Sequence, residues 1–152
     1  MGGVCDLTQA RADSRSHWEH FTHGSDIGVR GVGTTREEAF EQAAIALVAV
    51  ITDPSLVVAR RQIVVECEAT DCEVLLVAWL NALVYEMAVR GMIFGRFMIR
   101  LDGFHLHGTA WGEDIDVVRH EPAVEVKGAT YTSLFVGQSP DGSWIAQCVV
   151  DV

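Results

Sequence analysis

Cysteine, proline and basic side chains are all scarce in this sequence. The four cysteines, Cys5, Cys67, Cys72 and Cys148, include no Cys-x-x-Cys pair, so neither a thiolate zinc site nor a disulfide framework is indicated, and buried reduced thiols are expected. Lys and Arg number 11 against 21 Asp and Glu, which gives a formal net charge of −10. A surface of that sign repels phosphate backbones, so no direct nucleic-acid binding is expected, and a basic protein partner or a metal cation fits better.

Long apolar runs and a secretion signal are lacking as well. No apolar run approaches the roughly 20 residues that span a bilayer, and residues 1–7 have neither the basic start nor the apolar core of a signal peptide. We therefore predict a cytoplasmic protein with no membrane contact. Residues 1–16 show no period and are expected to form a mobile tail, which leaves residues 17–152 as a single domain.

Start and stop signals predict two helices. Two overlapping capping boxes in residues 34–38 begin the first helix, because a Thr hydroxyl and a Glu carboxylate three residues later satisfy amide donors at a helix start. An Asp-Pro pair at 53–54 ends that helix. A further capping box in residues 70–73 begins the second helix, and Gly91 suits the position after its last turn.

The rest of the chain alternates in the manner of strands separated by turns. The predicted strands are residues 27–32, 62–68, 94–101, 105–111, 124–126, 131–136 and 144–150. Two helices and six or seven mostly antiparallel strands predict an α+β fold, in which both helices cover one face of a single sheet.

Hard oxygen ligands stand at both ends of the predicted domain. Asp26 lies where a polar loop enters an apolar strand, and Asp151 immediately precedes the free carboxylate of Val152. If the fold brings these ends together, the carboxylates require a counter-charge, which a hard divalent cation such as Ca²⁺ or Mg²⁺ supplies. Taken alone, Asp26 also fits an ordinary turn or cap residue.

Two histidine groups offer other chemistry. His17, His20 and His23 recur every third residue, but the following Gly-Ser pair argues against a helix that would align them as zinc ligands. His105 and His107 share one face of a predicted strand, where they would either bind a metal or line a wet surface. No Ser or Cys has the local setting of a catalytic nucleophile.

Several separate stretches together resemble the archease family. These are residues 23–28 (His-Gly-Ser-Asp-Ile-Gly), 35–44 in the first helix, 75–81 in the second helix, the Gly-Glu pair at 112–113, residues 125–131 and the terminal Asp-Val pair. They occur in family order from about Trp18 to the last residue.

The resemblance implies an accessory protein of an RtcB-type RNA ligase, which joins a 2′,3′-cyclic or 3′-phosphate end to a 5′-hydroxyl end in tRNA splicing or RNA repair. The family member is not itself an enzyme, and it promotes GTP-dependent guanylylation of the ligase and so its multiple turnover. The resemblance also implies a divalent cation, with Ca²⁺ preferred over Mg²⁺ or Mn²⁺, bound by Asp26, Asp151 and Val152. His23 and Lys127 are the further functional candidates.

The sequence departs from the family pattern in three places. Gly24 and Ser25 replace a Thr-Ala pair, Gly128 replaces an Ala, and Thr132 stands where the family often has His. The last exchange removes a potential ligand or donor.

Two other functions are compatible with the residues. A general chaperone-like interaction module would need an exposed apolar patch and would tolerate loss of the carboxylates. A small metal-dependent hydrolase would need a general base such as His23 and would act on a substrate alone.

Overall fold

The computed structural model describes residues 16–152. Within this range the secondary structure comprises eight strands, two long helices, one helix of four residues and one 3₁₀ turn. The elements are β1 (His17–His23), β2 (Asp26–Gly33), α1 (Arg36–Ile51), the 3₁₀ turn (Pro54–Leu56), β3 (Arg61–Glu68), α2 (Cys72–Arg90), β4 (Met92–Asp102), β5 (His105–Asp114), α3 (Val117–His120), β6 (Gly128–Ala129), β7 (Phe135–Gln138) and β8 (Trp144–Asp151).

The strands form two antiparallel sheets. One sheet has the order β1-β2-β8-β6, with β7 also paired to β8, and the other has the order β3-β5-β4. The predicted α+β class is confirmed. The expectation of one sheet of six or seven strands is wrong, because the hydrogen-bonded ladders connect two separate groups of strands.

Both long helices contact strands of both sheets. The buried residues of α1 therefore extend around most of its circumference, and they are Ala39, Phe40, Ala43, Ala44, Ala46, Leu47, Val48, Val50 and Ile51. Gly31 permits the close approach of α1 to β2, since a Cβ at this position would lie 2.0 Å from the carbonyl oxygen of Ala39 and 2.3 Å from the amide nitrogen of Ala43. The helices thus do not lie on one face of one sheet, as expected from the sequence, but are shared between two sheets.

The helix ends largely follow the predicted signals. The second of the two overlapping boxes is used, because the Thr35 hydroxyl accepts the Glu38 N–H and the Glu38 carboxylate accepts the Thr34 N–H at 2.8 Å. Gly91 ends α2 in the left-handed conformation at φ 63°. The predicted box in residues 70–73 is not formed, because Asp71 caps α2 by accepting the Val74 N–H at 2.8 Å.

Three strand predictions need correction. Strand β1 was not predicted, and it begins directly after Ser16. The tail predicted for residues 1–16 lies outside the described residues except for Ser16, which donates a hydrogen bond to Glu38. Residues 124–126 form no strand, and the neighbouring Ala123 N–H instead donates to Ile51. In place of the strand predicted at 131–136, the structure has a strand at Phe135–Gln138. Residues 130–133 form a turn that is hydrogen-bonded to Val149 of β8.

Helix α2 is long and apolar enough to cross a membrane by length and composition alone, contrary to the expectation that no such segment exists. Its residues Leu75, Leu76, Val77, Trp79, Leu80 and Leu83 are buried against the sheets. The core helix of a water-soluble protein can have the same length and composition, so one such helix is weak evidence for a membrane span.

Candidate functional site

The ends of four strands place the predicted site residues in one row. His23 on β1 pairs with Asp26 on β2. The β2–β8 register sets Ile27 opposite Val150, so that Asp26 and Asp151 come next to each other one residue further along. Asp151 in turn pairs with Gly128 on β6. Directly opposed residues of antiparallel strands have Cβ atoms about 4.5–5.5 Å apart. The row therefore brings together residues that are far apart in the sequence, since His23 and Asp151 are separated by 128 positions.

Strand alternation gives the direction of the two carboxylates. Val29 and Cys148 are paired and fully buried, so they face the helices. Asp26 and Asp151 are three positions away on their strands and therefore point to the opposite face of the sheet. Asp151 is exposed and Asp26 is half-buried. The two carboxylates thus share the outer face at the rim of the sheet.

A short hairpin and the chain terminus complete the rim. Gly24 and Ser25 form the two-residue turn between β1 and β2, and Gly24 adopts φ 61°, which favours glycine in such turns. The replacement of the family's Thr-Ala pair therefore leaves the hairpin and Asp26 in place. Val152 follows Asp151 directly and is half-buried against the apolar core, which anchors the last residue beside the row.

Lys127 is held at the same rim by backbone contacts. Its N–H donates to the carbonyl of Asp151 at 2.8 Å. The following strand β6 is fastened to α2 by Asn81, whose Oδ1 accepts the Ala129 N–H at 2.8 Å and whose Nδ2 donates to the Ala129 carbonyl at 3.3 Å. Asn81 thus supplies the pair of hydrogen bonds that a neighbouring strand would provide. In the sequence Asn81 belongs to a stretch that resembles the family, and this role was not predicted.

The donor set at the row is suitable for a hard cation. Two adjacent Asp carboxylates and the terminal carboxylate of Val152 are the oxygen ligands that Ca²⁺ and Mg²⁺ prefer. Across residues 16–152 no three His, Cys, Asp or Glu side chains are grouped as a metal site. A cation site with Val152 as the third ligand beside Asp26 and Asp151 stays a prediction.

The histidines outside the row are engaged elsewhere. His20 contacts the carbonyl of Ala46 through Nε2 at 2.7 Å, and His17 contacts Glu19 at 2.8 Å. His107 and His105 do share one face of β5, as expected, and both lie near Glu66, at 3.3 and 3.6 Å. The hypothesis that His17, His20 and His23 form a zinc site finds no support in this arrangement.

A buried pair of polar side chains near the end of β5 was not predicted. Glu113 and His120 are 3% and 1% exposed. The Asp116 N–H donates to His120 Nδ1 at 2.8 Å, so Nε2 carries the imidazole proton and donates it to Glu113 at 2.9 Å.

Two arginines and a backbone amide complete the surroundings of this carboxylate. Arg119 contacts Glu113 at 2.6 Å, and the Val58 N–H and Arg60 donate to it at 2.8 and 3.2 Å. These hydrogen bonds, the one from Arg119 foremost, lower the pKa of Glu113 to about 2 although burial acts in the opposite direction. The fixed Glu113 ties the segment that follows β5 to the residues before β3.

Thr132, which replaces a family His, acts through its backbone in this structure. Its carbonyl accepts the Val149 N–H at 3.0 Å, and its own N–H donates to the Thr130 hydroxyl at 3.2 Å. Its side chain is exposed. The turn over β8 therefore forms without a His at this position.

Fold and site together define a class: a small α+β protein in which two helices are shared by two antiparallel sheets, with a carboxylate row at the rim where the chain ends. The model of the archease protein family matches residues 18–152. The chain belongs to the archease family, as its resemblance indicated.

Individual relatives agree with this assignment. The protein archease of Pyrococcus furiosus is 42% identical over 139 residues, which cover 89% of this chain and 98% of the relative. The protein archease of Sulfolobus acidocaldarius is 34% identical over 139 residues, covering 90% and 99% of the two chains.

Solved structures give the same result for the fold. The solution structure of Methanobacterium thermoautotrophicum protein 1598 is similar with a TM-score of 0.76 at 34% identity, covering 89% of this chain and 98% of that one. An archease from Thermotoga maritima, described as a possible chaperone, has a TM-score of 0.56 at 16% identity, over 88% and 96% of the two chains. At that identity the likeness concerns the fold alone.

Proposed function

We propose that this protein activates an RtcB-type RNA ligase, promoting its GTP-dependent guanylylation and its multiple turnover in tRNA splicing or RNA repair. Membership of the archease family supports an accessory role. The observation that carries the proposal is the row of His23, Asp26 and Asp151 at one rim of the sheet, with Lys127 and Val152 beside it.

The row gives each residue a distinct task. Asp26, Asp151 and the Val152 carboxylate hold a divalent cation, with Ca²⁺ preferred, on the solvent side of the rim. When bound, such a cation supplies charge neutralisation to a phosphate group during nucleotidyl transfer. Lys127, whose backbone N–H is bonded to the Asp151 carbonyl, supplies an exposed positive charge for a phosphate oxygen of the ligase-bound nucleotide.

The position of the row suits action on a partner. Asp151 and Lys127 are exposed, and the row lies at the end of four strands with no wall of protein described around it. A substrate bound there would remain in contact with solvent, which disfavours the small hydrolase as an alternative. A nucleotide pocket on the ligase would enclose the row and exclude solvent from it.

The test is multiple-turnover RNA ligation by the RtcB-type ligase with GTP, measured with and without this protein. Wild type is expected to raise the number of turnovers. Asp26→Ala, Asp151→Ala and a form with residues added after Val152 are expected to lose most of that activation, since each removes or blocks one charged ligand.

Asp102→Ala is the matched control, because Asp102 is an exposed aspartate at the end of β4 in the other sheet. It should activate like wild type. If all variants activate equally, the ligase is stimulated by surface contact alone and the carboxylate row is not the working part. Turnover of RNA or nucleotide by this protein without the ligase would instead support the hydrolase.

A further inference from the structure

Exposed apolar side chains recur in two segments of the chain, the second half of α2 and the segment after β5. Of the 14 large apolar side chains that are exposed among the described residues, six belong to the second half of α2 or to the segment after β5. These six are Tyr85, Val89, Ile115, Val117, Val118 and Val124. Surface apolar residues are ordinarily scattered, and a concentration of this kind marks an interaction site.

An apolar cleft lies between the same two segments. It has a volume of about 510 Å³, and its lining includes Val84 and Met87 of α2 and Ile115 and Val124 of the facing segment. Glu125 and Lys127 also line it. The backbone N–H of Lys127 donates to the carbonyl of Asp151, so this end of the cleft lies next to the end of β8.

The short helix α3 carries two exposed valines, and Val117 lines a separate, charged pocket that shares only Ile115 with the apolar cleft. Val117 and Val118 are 69% and 86% exposed, although they lie next to the buried His120. Asp116 caps α3 through the Val118 and Arg119 N–H groups, and Arg119 also donates to the Leu56 carbonyl at 2.8 Å.

The buried network therefore holds an exposed apolar tip in one conformation. Ordering this tip on association costs little conformational entropy, because Glu113, Arg119 and His120 already fix it in the free protein. Pre-organised apolar side chains are the arrangement expected of residues that dominate a protein interface.

The charges near the cleft indicate what covers it. Segment 114–127 carries four carboxylates, at 114, 116, 121 and 125, against Arg119 and Lys127. Arg119 is paired with Glu113, and Asp114 is paired with Arg61. The carboxylates at 116, 121 and 125 therefore stand against Lys127. The whole chain carries a formal charge of −10. A neighbouring copy of this chain would be repelled, and residues 1–15 carry two Asp and two Arg and so offer no excess positive charge.

We propose that this cleft and the Val117–Val118 tip bind an apolar segment of the RNA ligase that is flanked by basic residues. The inference rests on the proposed function and adds to it the docking surface. Apolar contacts in the cleft supply affinity, the acidic rim steers the basic flanks, and the adjoining row is thereby placed at the nucleotide pocket.

The experiment titrates each variant of this protein into the ligation assay and records two quantities: the concentration that gives half-maximal activation, and the maximal turnover. Val118→Lys is expected to raise the half-maximal concentration by about tenfold or more, with the maximal turnover unchanged. Val118→Glu should raise it less, because its charge has the sign that attracts a basic flank. Glu125→Lys should raise it and weaken its dependence on salt.

Two matched controls separate the cleft from general surface effects. Val64 is a valine 53% exposed on the sheet β3-β5-β4, and Glu68 is an exposed glutamate on the same strand. Val64→Lys and Glu68→Lys should both activate like wild type. Asp26→Ala is measured for comparison, because this variant should lower the maximal turnover.

The outcomes distinguish this inference from the proposed function. If wild type neither binds the ligase nor activates it, the proposed function is wrong and the docking inference with it. If wild type activates and the cleft variants match Val64→Lys, only the docking inference fails.

Two other occupants of the cleft would overturn the inference in recognisable ways. A version lacking residues 2–15 that activates at lower concentration than wild type would show that the chain's own N-terminal segment covers the cleft. A wild-type dimer in sedimentation that Val118→Lys converts to monomer would assign the cleft to a second copy.

Discussion

Glu113 is a buried carboxylate, only 3% exposed, and its charge is balanced by protein groups. Its partners are Arg119, Arg60, His120 and the Val58 N–H. Because the neutral His120 tautomer donates through Nε2, the ionised carboxylate is the form that fits the site. Any change that removes the charge leaves several donors without an adequate acceptor.

We therefore expect Glu113→Gln to lower the free energy of unfolding by about 2 kcal/mol at neutral pH, through the loss of hydrogen bonds to a charged acceptor. The folded-state pKa of Glu113, about 2, lies below the ordinary value of 4.5. Its stabilisation is thus complete above pH 4.5 and disappears as the pH falls toward 2. Denaturant titrations across this range should show the difference between wild type and variant shrinking with acid.

Glu41→Gln is the control for this measurement. Glu41 is a half-buried glutamate whose carboxylate accepts the Ile99 N–H at 2.8 Å, and burial raises its pKa. Its charge is therefore unfavourable in the folded state, and the amide oxygen of Gln can accept the same N–H. A loss of stability as large as that of Glu113→Gln would contradict the importance of the arginine contacts.

The sequence predicts residue-level features where the interaction is local. The capping box of Thr35 and Glu38 and the left-handed Gly91 after α2 were both predicted correctly. Each of these features depends only on residues within four positions in the sequence. The pairing of Glu113 with Val58 and Arg60 crosses more than 50 positions. The Gly-Glu pair at 112–113 was noted only as part of the family resemblance, and no local signal marked the glutamate as buried.

At the scale of elements, the two-residue strand β6 depends on a helix for its position. Asn81 on α2 binds both backbone groups of Ala129, and Lys127 precedes this strand. A strand of two residues has too few ladder hydrogen bonds to be stable alone. The placement of Lys127 is therefore a consequence of the α2 contact.

We expect Asn81→Ala to speed amide hydrogen exchange at Lys127 and Ala129 and to cost about 1 kcal/mol of stability. Under the proposed function, it should also reduce activation of the ligase. Asn81→Asp keeps the acceptor for the Ala129 N–H and loses the donor, so it should give an intermediate exchange rate. Exchange equal to wild type in Asn81→Ala would show that the β8 ladder alone holds this strand.

Element predictions failed where the pairing partner decides the outcome. β1 was missed because its half-buried side chains, His17, Glu19 and Phe21, are mostly polar and carry no apolar alternation. Residues 124–126 alternate as a strand does, but their side chains line the cleft and they join no ladder. The division into two sheets follows from the β3-β5-β4 ladder, which no period within a single strand encodes.

At the scale of the whole molecule, the candidate site depends on the fold bringing distant residues together. The sequence placed Asp26 and Asp151 at strand ends, and the resemblance to the archease family joined them. Their adjacency requires β2 to pair with β8, which is a contact between opposite ends of the domain. That pairing could not be derived from spacing alone, and the metal itself stays a prediction.

A cation bound at this row should stabilise the fold, because its ligands are adjacent only when β2 and β8 are paired. At a Ca²⁺ concentration of 100 times the Kd, linkage adds about 2.7 kcal/mol, which corresponds to a rise in Tm of roughly 5–10 °C for a domain of this size. Asp26→Asn and Asp151→Asn should lose most of this rise. Without Ca²⁺, both variants should be as stable as wild type or slightly more stable, since each removes a repulsion between adjacent carboxylates. Asp102→Asn, an exposed change on the other sheet, should keep the full rise. Thermal melts with Ca²⁺, with Mg²⁺ and with chelator measure these shifts, and an equal rise in all four proteins would place the cation somewhere other than the row.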